Sequence, residues 1–149
     1  MKMTLLPALL FAVMLTPACQ AKEKLSELEI HTATGKSIAF KVEVARTGEE
    51  QSRGLMFRES LAPNRGMIFP MSPPREASFW MKNTIIPLDM IFVRGDGSIA
   101  RIAADTVPYS LISESSGEPV AAVLEIGGGQ AAKLGIAEND TIKWKNLGK

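Results

Sequence analysis

Residues 78–93 combine an aromatic side chain with a cluster of polar groups, which is the chemistry of a small-ligand site. Trp80 supplies a broad apolar surface, and Lys82, Asn83 and Thr84 follow it with hydrogen-bonding groups. Ligand pockets typically combine apolar walls with a few polar groups that orient the bound molecule. The pattern therefore predicts a shallow cleft for a small polar molecule, such as a sugar or a carboxylate-bearing compound.

Two arginines upstream are expected to reach the same cleft. Thr47 and Glu50 form a capping-box pattern, which predicts a short helix over residues 48–56. Arg53 and Arg58 lie on and just after this helix, and the planar guanidinium group of arginine can hold an anionic group through two parallel hydrogen bonds. The predicted ligand-binding residues are Arg53, Arg58, Trp80, Lys82, Asn83, Thr84 and Asp89.

A structural interpretation of these residues is also open. A charge inside an apolar strand often marks a buried ion pair, so Arg53 could instead tie the helix to the sheet through Asp89 or Glu125. Asn83 and Thr84 are also common turn residues. Both interpretations remain at this point.

Evidence for catalysis is thin. Asp89 and Glu125 both interrupt apolar strands, and a carboxylate pair can hydrolyse a glycosidic bond. A serine or cysteine nucleophile needs a histidine base, but His31 is the only histidine and Cys19 the only cysteine. The sequence therefore favours a binding protein, with a carbohydrate-active hydrolase that uses Asp89 and Glu125 as the alternative.

Metal binding is a third hypothesis. Met67, Met71 and Met81 could supply thioether ligands to Cu(I), although methionine also fills irregular cores. The three glycines at 127–129 lack the lysine and hydroxyl residue of a phosphate-binding loop, so they indicate a sharp turn. We expect no bound cofactor.

The N-terminal segment predicts export. Residues 1–21 carry the positive Lys2, then an apolar stretch at 5–15 that is too short to span a bilayer, then small residues. Cleavage after Ala21 gives a periplasmic or secreted protein and is favoured over the alternative, a lipid-anchored protein that begins at Cys19. We then expect a tether at 22–27 and one domain at 28–149.

Composition fits one globular domain with no nucleic-acid partner. The chain has 149 residues, of which 46% are hydrophobic and 22% charged. It carries 17 basic and 16 acidic side chains, and loss of Lys2 with the export signal balances them. Without a net positive charge there is no electrostatic case for binding nucleic acid or an anionic membrane. The expected partner is a small polar ligand or a protein of the cell envelope.

The pattern of elements predicts a mainly β fold. Ile38, Phe40, Val42 and Val44 alternate with polar residues, which indicates a half-buried strand paired with an earlier strand at 28–32. We predict loops at 71–76, because of its prolines, and at 105–119, and a short helix at 130–134. About eight short strands and two short helices indicate a compact, mainly antiparallel β sandwich or barrel.

Five motifs in order resemble the domain of unknown function 192 family. The similarity covers residues 28–144 and implies a small, mostly β, sandwich-like domain that is often exported and has no established activity. The motifs are RGLMFR at 53–58, GMIFP at 66–70, FWMKNT at 79–84, PLDMIFV at 87–93 and LEIGGG at 124–129.

Overall fold

The computed structural model describes residues 25–147. The predicted signal segment at 1–21, with Cys19, and the start of the predicted tether lie outside the described residues. Within the described part, no helix is long and apolar enough to cross a membrane. The elements are β1 (Ser26–His31), β2 (Ser37–Val44), α1 (Gly48–Arg53), β3 (Arg65–Phe79), β4 (Leu88–Val93), β5 (Ile99–Thr106), β6 (Glu114–Gly127), α2 (Gln130–Leu134) and β7 (Thr141–Lys143).

The strands form one curled sheet in the order β5-β4-β6-β3-β2-β1-β7. Neighbouring strands are antiparallel except β2 and β3, which are parallel. The two edges meet at one end, where the Ile99 N–H donates to the Asp140 carbonyl (2.8 Å) and the Ile142 N–H donates to the Gly97 carbonyl (2.7 Å). The predicted mainly β class is confirmed, as a half-barrel with two short helices.

Both faces of the sheet are apolar, and β6 contributes to each of them. Successive side chains of a strand point to opposite faces, so Ala122, Leu124 and Ile126 enter the core enclosed by the curl. Val123 belongs to a second cluster on the outer face, which also contains Phe69, Met90 and Phe92 of the neighbouring strands and Leu55 from the turn after α1. Glu125 shares the face of Val123, so it interrupts the second cluster.

The predicted loop at 71–76 is wrong, because β3 continues through it. Pairing with β6 stops after Pro70 and resumes at Arg75, with a bulge between them. Pro73 and Pro74 have no N–H to donate, so the bulge accommodates them without the loss of a ladder hydrogen bond.

The predicted loop at 105–119 is shorter than expected. Residues 114–119 belong to β6, where Glu114 pairs with Phe79 and Pro119 with Glu76. The loop between β5 and β6 is therefore confined to residues 107–113. The apolar run at 120–126 is the second half of the same long strand.

The local helix signals are confirmed. Thr47 Oγ1 accepts from the Glu50 N–H (3.1 Å), and Glu50 Oε2 accepts from the Thr47 N–H (2.8 Å), which completes the capping box. The helix ends at Arg53 rather than at residue 56, because Gly54 leaves the helical conformation with φ 48°. The predicted helix Gln130–Leu134 is found with those bounds.

The glycine turn before α2 needs its missing side chains. A Cβ atom on Gly128 would lie 2.7 Å from Asp105 Oδ1 and 2.8 Å from Pro87 Cβ, which is too close for any larger residue. Gly129 has φ 74°, a conformation that glycine adopts without strain. The turn is thus an architectural feature that places α2 against the end of β6.

Candidate functional site

A cavity of about 410 Å³ lies between α1 and the outer face of the sheet. Its walls come from four parts of the chain: α1 with the turn after it, β3, the segment between β3 and β4, and β6. The residues that carry its chemistry are Gln51, Arg53, Met56, Phe69, Met71, Arg75, Phe79, Trp80, Thr84 and Glu125.

Glu125 is the buried acid of this cavity. In the sheet it stands opposite Met67 on β3 and Met90 on β4, so apolar side chains flank it on both sides. The residue is only 5% exposed, and no hydrogen-bond partner within residues 25–147 reaches its carboxyl group. Burial alone raises the pKa of Glu125 to about 8. At neutral pH it is therefore a neutral acid that can donate a hydrogen bond into the cavity.

Two arginines line the same cavity, Arg53 from α1 and Arg75 from β3. Both are exposed, and neither forms an ion pair with any residue that the structure describes. The ion pair between Arg53 and Asp89 or Glu125, which the sequence left open, is not formed. The guanidinium groups are free to meet a ligand.

Asp89 lies on the opposite face of the sheet from Glu125. Its neighbour Met90 stands opposite Glu125, so the Asp89 side chain points into the enclosed core, where it is fully buried. Asp89 Oδ1 accepts from the backbone N–H of Asp105 (2.7 Å) and Gly129 (2.9 Å), and Oδ2 accepts from the Ala131 N–H (2.7 Å). This carboxylate fastens the glycine turn and α2 to the sheet, and the structure does not bring it into the cavity.

The hydrolase alternative needs Asp89 and Glu125 on either side of one substrate bond. Their side chains instead project from opposite faces of adjacent strands. Among the described residues that line the cavity, Glu125 is the only acid. The carboxylate pair of the alternative is therefore not assembled in this structure.

Arg58 lies outside the cavity and pairs with β2. Its Nη1 and Nη2 atoms donate to Glu43 Oε1 (2.6 Å) and Oε2 (2.5 Å). Such a two-pronged pair fixes both position and orientation. Arg58 therefore anchors the turn after α1 to the sheet.

The segment after β3 divides between cavity wall and turn. Trp80 is 47% exposed at the cavity wall, and Lys82 Nζ lies 5.1 Å from its ring centroid. Asn83 has φ 55°, and its carbonyl accepts from the Phe57 N–H (2.9 Å). Thr84 is buried and lines the cavity. Of the four predicted residues here, Trp80 and Thr84 line the cavity, Lys82 covers Trp80, and Asn83 makes the turn.

The three methionines proposed for Cu(I) all lie in the outer-face cluster. Met71 lines the cavity, Met67 flanks Glu125 in the sheet, and Met81 is buried in the core. Within residues 25–147, no group of three or more histidine, cysteine, aspartate or glutamate side chains could hold a metal ion. The copper hypothesis, which depends on thioethers, stays a prediction.

Several cavity residues are not among the ligand-binding residues predicted from the sequence. Gln51 fixes the helix over the cavity, because its Nε2 donates to the carbonyls of Ala45 (3.2 Å) and Pro70 (3.1 Å). Phe69 and Phe79 pack edge to face with ring centroids 5.0 Å apart. Arg75 follows the two prolines, in the stretch that the sequence predicts to be a loop. The alternation of β3 could have indicated Phe69, Arg75 and Phe79 only if the strand had been traced through the prolines.

The fold and the cavity define a small curled-sheet β protein with a ligand-sized pocket on its outer face. The chain belongs to the DUF192 family, described as an uncharacterized ACR, whose match covers residues 29–144. This confirms the resemblance given by the five motifs.

Two solved structures share the fold. One, from Sinorhizobium meliloti 1021, is described as a candidate transcription regulator; it is 36% identical with a TM-score of 0.82, over 86% of this chain and 99% of that one. The other is a protein of unknown function from Novosphingobium aromaticivorans DSM 12444; it is 43% identical with a TM-score of 0.80, over 85% of this chain and 90% of that one. A search of curated proteins gave no match.

Proposed function

We propose that this protein is a non-catalytic binding protein that holds a small polar ligand in the cavity beside Glu125. The observation that carries the proposal is the Glu125 carboxyl group, which is buried, lines the cavity and has no hydrogen-bond partner within the described chain. The carboxyl oxygens are not sealed in the core, so they are accessible from the cavity. A ligand atom that accepts from the Glu125 acid supplies the missing partner.

The cavity walls suit a ligand with both a flat apolar part and polar groups. Phe69, Phe79 and Trp80 provide aromatic surface, while Thr84 and Arg53 provide hydrogen-bonding groups. A volume of about 410 Å³ lies in the range of small-molecule sites. These features support the ligand classes expected from the sequence, a sugar or a carboxylate-bearing molecule.

The same proposal places the protein outside the cytoplasm. It rests on the predicted export signal at residues 1–21, which lies outside the described residues. A cell-envelope location would bring the cavity into contact with nutrients and cell-wall fragments. Fractionation of cells into cytoplasm, periplasm and membrane tests this part directly, and recovery in the cytoplasm would contradict it.

A thermal-shift screen tests the binding proposal. The purified protein is heated with sugars, cell-wall fragments and small carboxylates, and a ligand that binds only the folded state raises the melting temperature. We expect at least one class to stabilise the parent protein and to lose its effect in Trp80→Ala. Lys133→Gln, an exposed substitution on α2 away from the cavity wall, is the control and should respond as the parent does. A screen without any hit would contradict the proposal.

A second candidate is an envelope protein as partner, and an exposed apolar surface favours it. The turn after α1, the segment after β3 and the loop at 107–113 lie side by side, since the Met81 N–H donates to the Ser110 carbonyl (3.0 Å) and the Tyr109 N–H donates to the Thr84 carbonyl (3.1 Å). Apolar patches of this kind often mark interaction sites. The exposed apolar residues on these segments are Phe57, Trp80, Ile85, Val107, Tyr109, Leu111 and Ile112.

Cross-linking in whole cells separates the two candidates. If the surface binds a protein, a discrete cross-linked complex forms with the parent and disappears in the double variant Leu111→Ser, Ile112→Ser. The same variant should keep the ligand-induced thermal shift, since neither residue lines the cavity. A complex that persists in the variant would contradict the partner surface.

A further inference from the structure

The cavity carries positive charge without a matching acid. Arg53 and Arg75 line it, Glu125 is its only acid among the described residues, and burial keeps that acid protonated at neutral pH. Arg75 also lines an adjacent cavity of about 510 Å³, together with Arg46. The walls therefore present two guanidinium groups and one O–H donor to whatever binds.

We infer that the ligand is a small carboxylate, held by the guanidinium groups of Arg53 and Arg75 and by a hydrogen bond that the Glu125 acid donates to one of its oxygens. This assignment rests on the proposed function and narrows its ligand class. Arginine and carboxylate match in geometry, because two parallel N–H groups meet two oxygens. A hydrogen bond from a neutral acid to a carboxylate oxygen is also charge-assisted, and so it is short and strong.

The surroundings of Glu125 make its protonation the main determinant of how ligand affinity depends on pH. Its neighbours in the sheet, Met67 and Met90, do not titrate. The next acid along this row is Glu43 on β2, beyond Met67, and it is already paired with Arg58. Strands lie about 4.8 Å apart, so Glu43 is about 10 Å from Glu125 in the row. From α1 only Arg53, among charged residues, lines the cavity.

Loss of the Glu125 proton should therefore weaken carboxylate binding. An ionised Glu125 cannot donate, and it repels the ligand carboxylate within a site of low polarity. If only the protonated form binds, affinity stays constant below the pKa of about 8 and falls about tenfold per pH unit above it. A neutral ligand would lack this dependence.

Matched compounds test the ligand class. Glucuronate, glucose and glucosamine share one ring and differ in charge, and benzoate, benzyl alcohol and benzylamine do the same on an aromatic ring. Isothermal titration of the parent at pH 6.5 should show that at least one acid binds ten or more times tighter than its neutral and cationic partners. The preference should collapse in the double variant Arg53→Gln, Arg75→Gln and persist in Lys133→Gln.

Glu125→Gln provides the sharper test. Glutamine keeps an N–H donor at the same place but cannot ionise, so the acid should still bind and its affinity should no longer fall between pH 7 and pH 9. The parent should lose about tenfold or more over the same interval. A parent affinity that does not change with pH would overturn the inference, as would a Glu125→Gln variant with the same pH dependence as the parent. Unfolding curves of each variant confirm that it is folded before titration.

The pattern of compounds that bind distinguishes failure of this inference from failure of the proposed function. Equal binding of glucose and glucuronate, or tighter binding of glucosamine, overturns the carboxylate assignment and leaves a small-ligand protein. Tighter binding of glucose 6-phosphate than of glucuronate also overturns it, in favour of a phosphate. An absence of binding by every compound at millimolar concentration contradicts both proposals.

Discussion

Two buried acids on adjacent strands, Asp89 on β4 and Glu125 on β6, differ in their hydrogen bonding and in the face of the sheet on which they lie. Asp89 is fully buried and Glu125 is 5% exposed, and each interrupts an apolar run within its strand. Asp89 accepts three backbone hydrogen bonds on the enclosed face. On the outer face, no residue within 25–147 bonds the Glu125 carboxyl group, and a cavity opens beside it.

The difference shows that burial of an acid does not by itself indicate function. An acid whose oxygens are satisfied by backbone N–H groups is part of the architecture, because it replaces the water that the turn and helix start would otherwise need. An acid without partners is costly when ionised and is retained as a neutral group. Because this neutral acid borders a cavity, it is a candidate group for binding a ligand.

The largest predicted effect comes from making the same isosteric change at both acids. Asp89→Asn places an amide N–H₂ group against a backbone donor and removes the charge that accepts these hydrogen bonds, so we expect it to lower the free energy of unfolding by about 3 kcal/mol. Glu125→Gln should leave the free energy of unfolding at pH 7 unchanged or raise it. Ionisation of Glu125 stabilises the unfolded parent chain at this pH, and glutamine cannot ionise. Urea denaturation at pH 7 measures both. Equal losses of unfolding free energy in the two variants would contradict the proposed difference between the two acids.

The second prediction concerns the pH dependence of stability. The pKa of Glu125 is about 8 in the folded protein against an ordinary 4.5, so between these values the folded state holds a proton that the unfolded state releases. This contribution is fully present below about pH 4.5 and is lost as pH rises towards 8. We expect a loss of about 2 kcal/mol between pH 6 and pH 7.5, at about 1.4 kcal/mol per unit.

Denaturation curves at several pH values test this, with Glu125→Gln as the control. The variant should lose the part of the slope that belongs to Glu125 and keep any slope from other groups. Parallel curves for parent and variant would show that Glu125 ionises normally in the folded protein.

A third prediction separates the two arginines of the RGLMFR motif. Arg58 makes a two-pronged pair with Glu43, whose side chain is only 14% exposed, so Arg58→Gln should cost about 1.5 kcal/mol. Arg53 is exposed and has no ion pair within the described residues, so Arg53→Gln should change stability by less than about 0.5 kcal/mol. Urea denaturation of both variants provides the test. A larger loss at Arg53 would restore the interpretation of Arg53 as a structural partner.

The smallest predicted effect is at the cavity mouth. Lys82 lies over the exposed ring of Trp80, and cation–π contacts at exposed sites contribute little. Lys82→Ala should therefore lower stability by about 0.5 kcal/mol. Thermal unfolding measures this, and a much larger loss would show that Lys82 has a structural partner beyond the ring.

Local signals predicted most of the elements, whereas the site depends on long-range pairing. The capping box at Thr47 and the helix Gln130–Leu134 follow from residues close in sequence. Arg75 was missed because Pro73 and Pro74 suggested a loop, and only the bulge opposite β6 lets the strand continue to it.

The two acids also could not be distinguished from sequence. Asp89 and Glu125 each appear as one charge within an apolar run, and their faces differ only through the register of β4 against β6. The three donors to Asp89 come from residues 105, 129 and 131, which are distant along the chain. Trp80 and Thr84, which the sequence assigns to one cleft, line the cavity together because they lie in one short segment.

The most direct test of the central claim is the pKa of Glu125 in the folded protein. Side-chain carboxyl carbons can be followed by NMR as the pH is raised, and the Glu125 signal is identified by its absence in Glu125→Gln. The structure predicts a midpoint near 8, which would establish a buried, neutral acid at the cavity. A midpoint near the ordinary 4.5 would show that the carboxylate is hydrated or paired, and would contradict the assignment of Glu125 as the donor that a ligand meets.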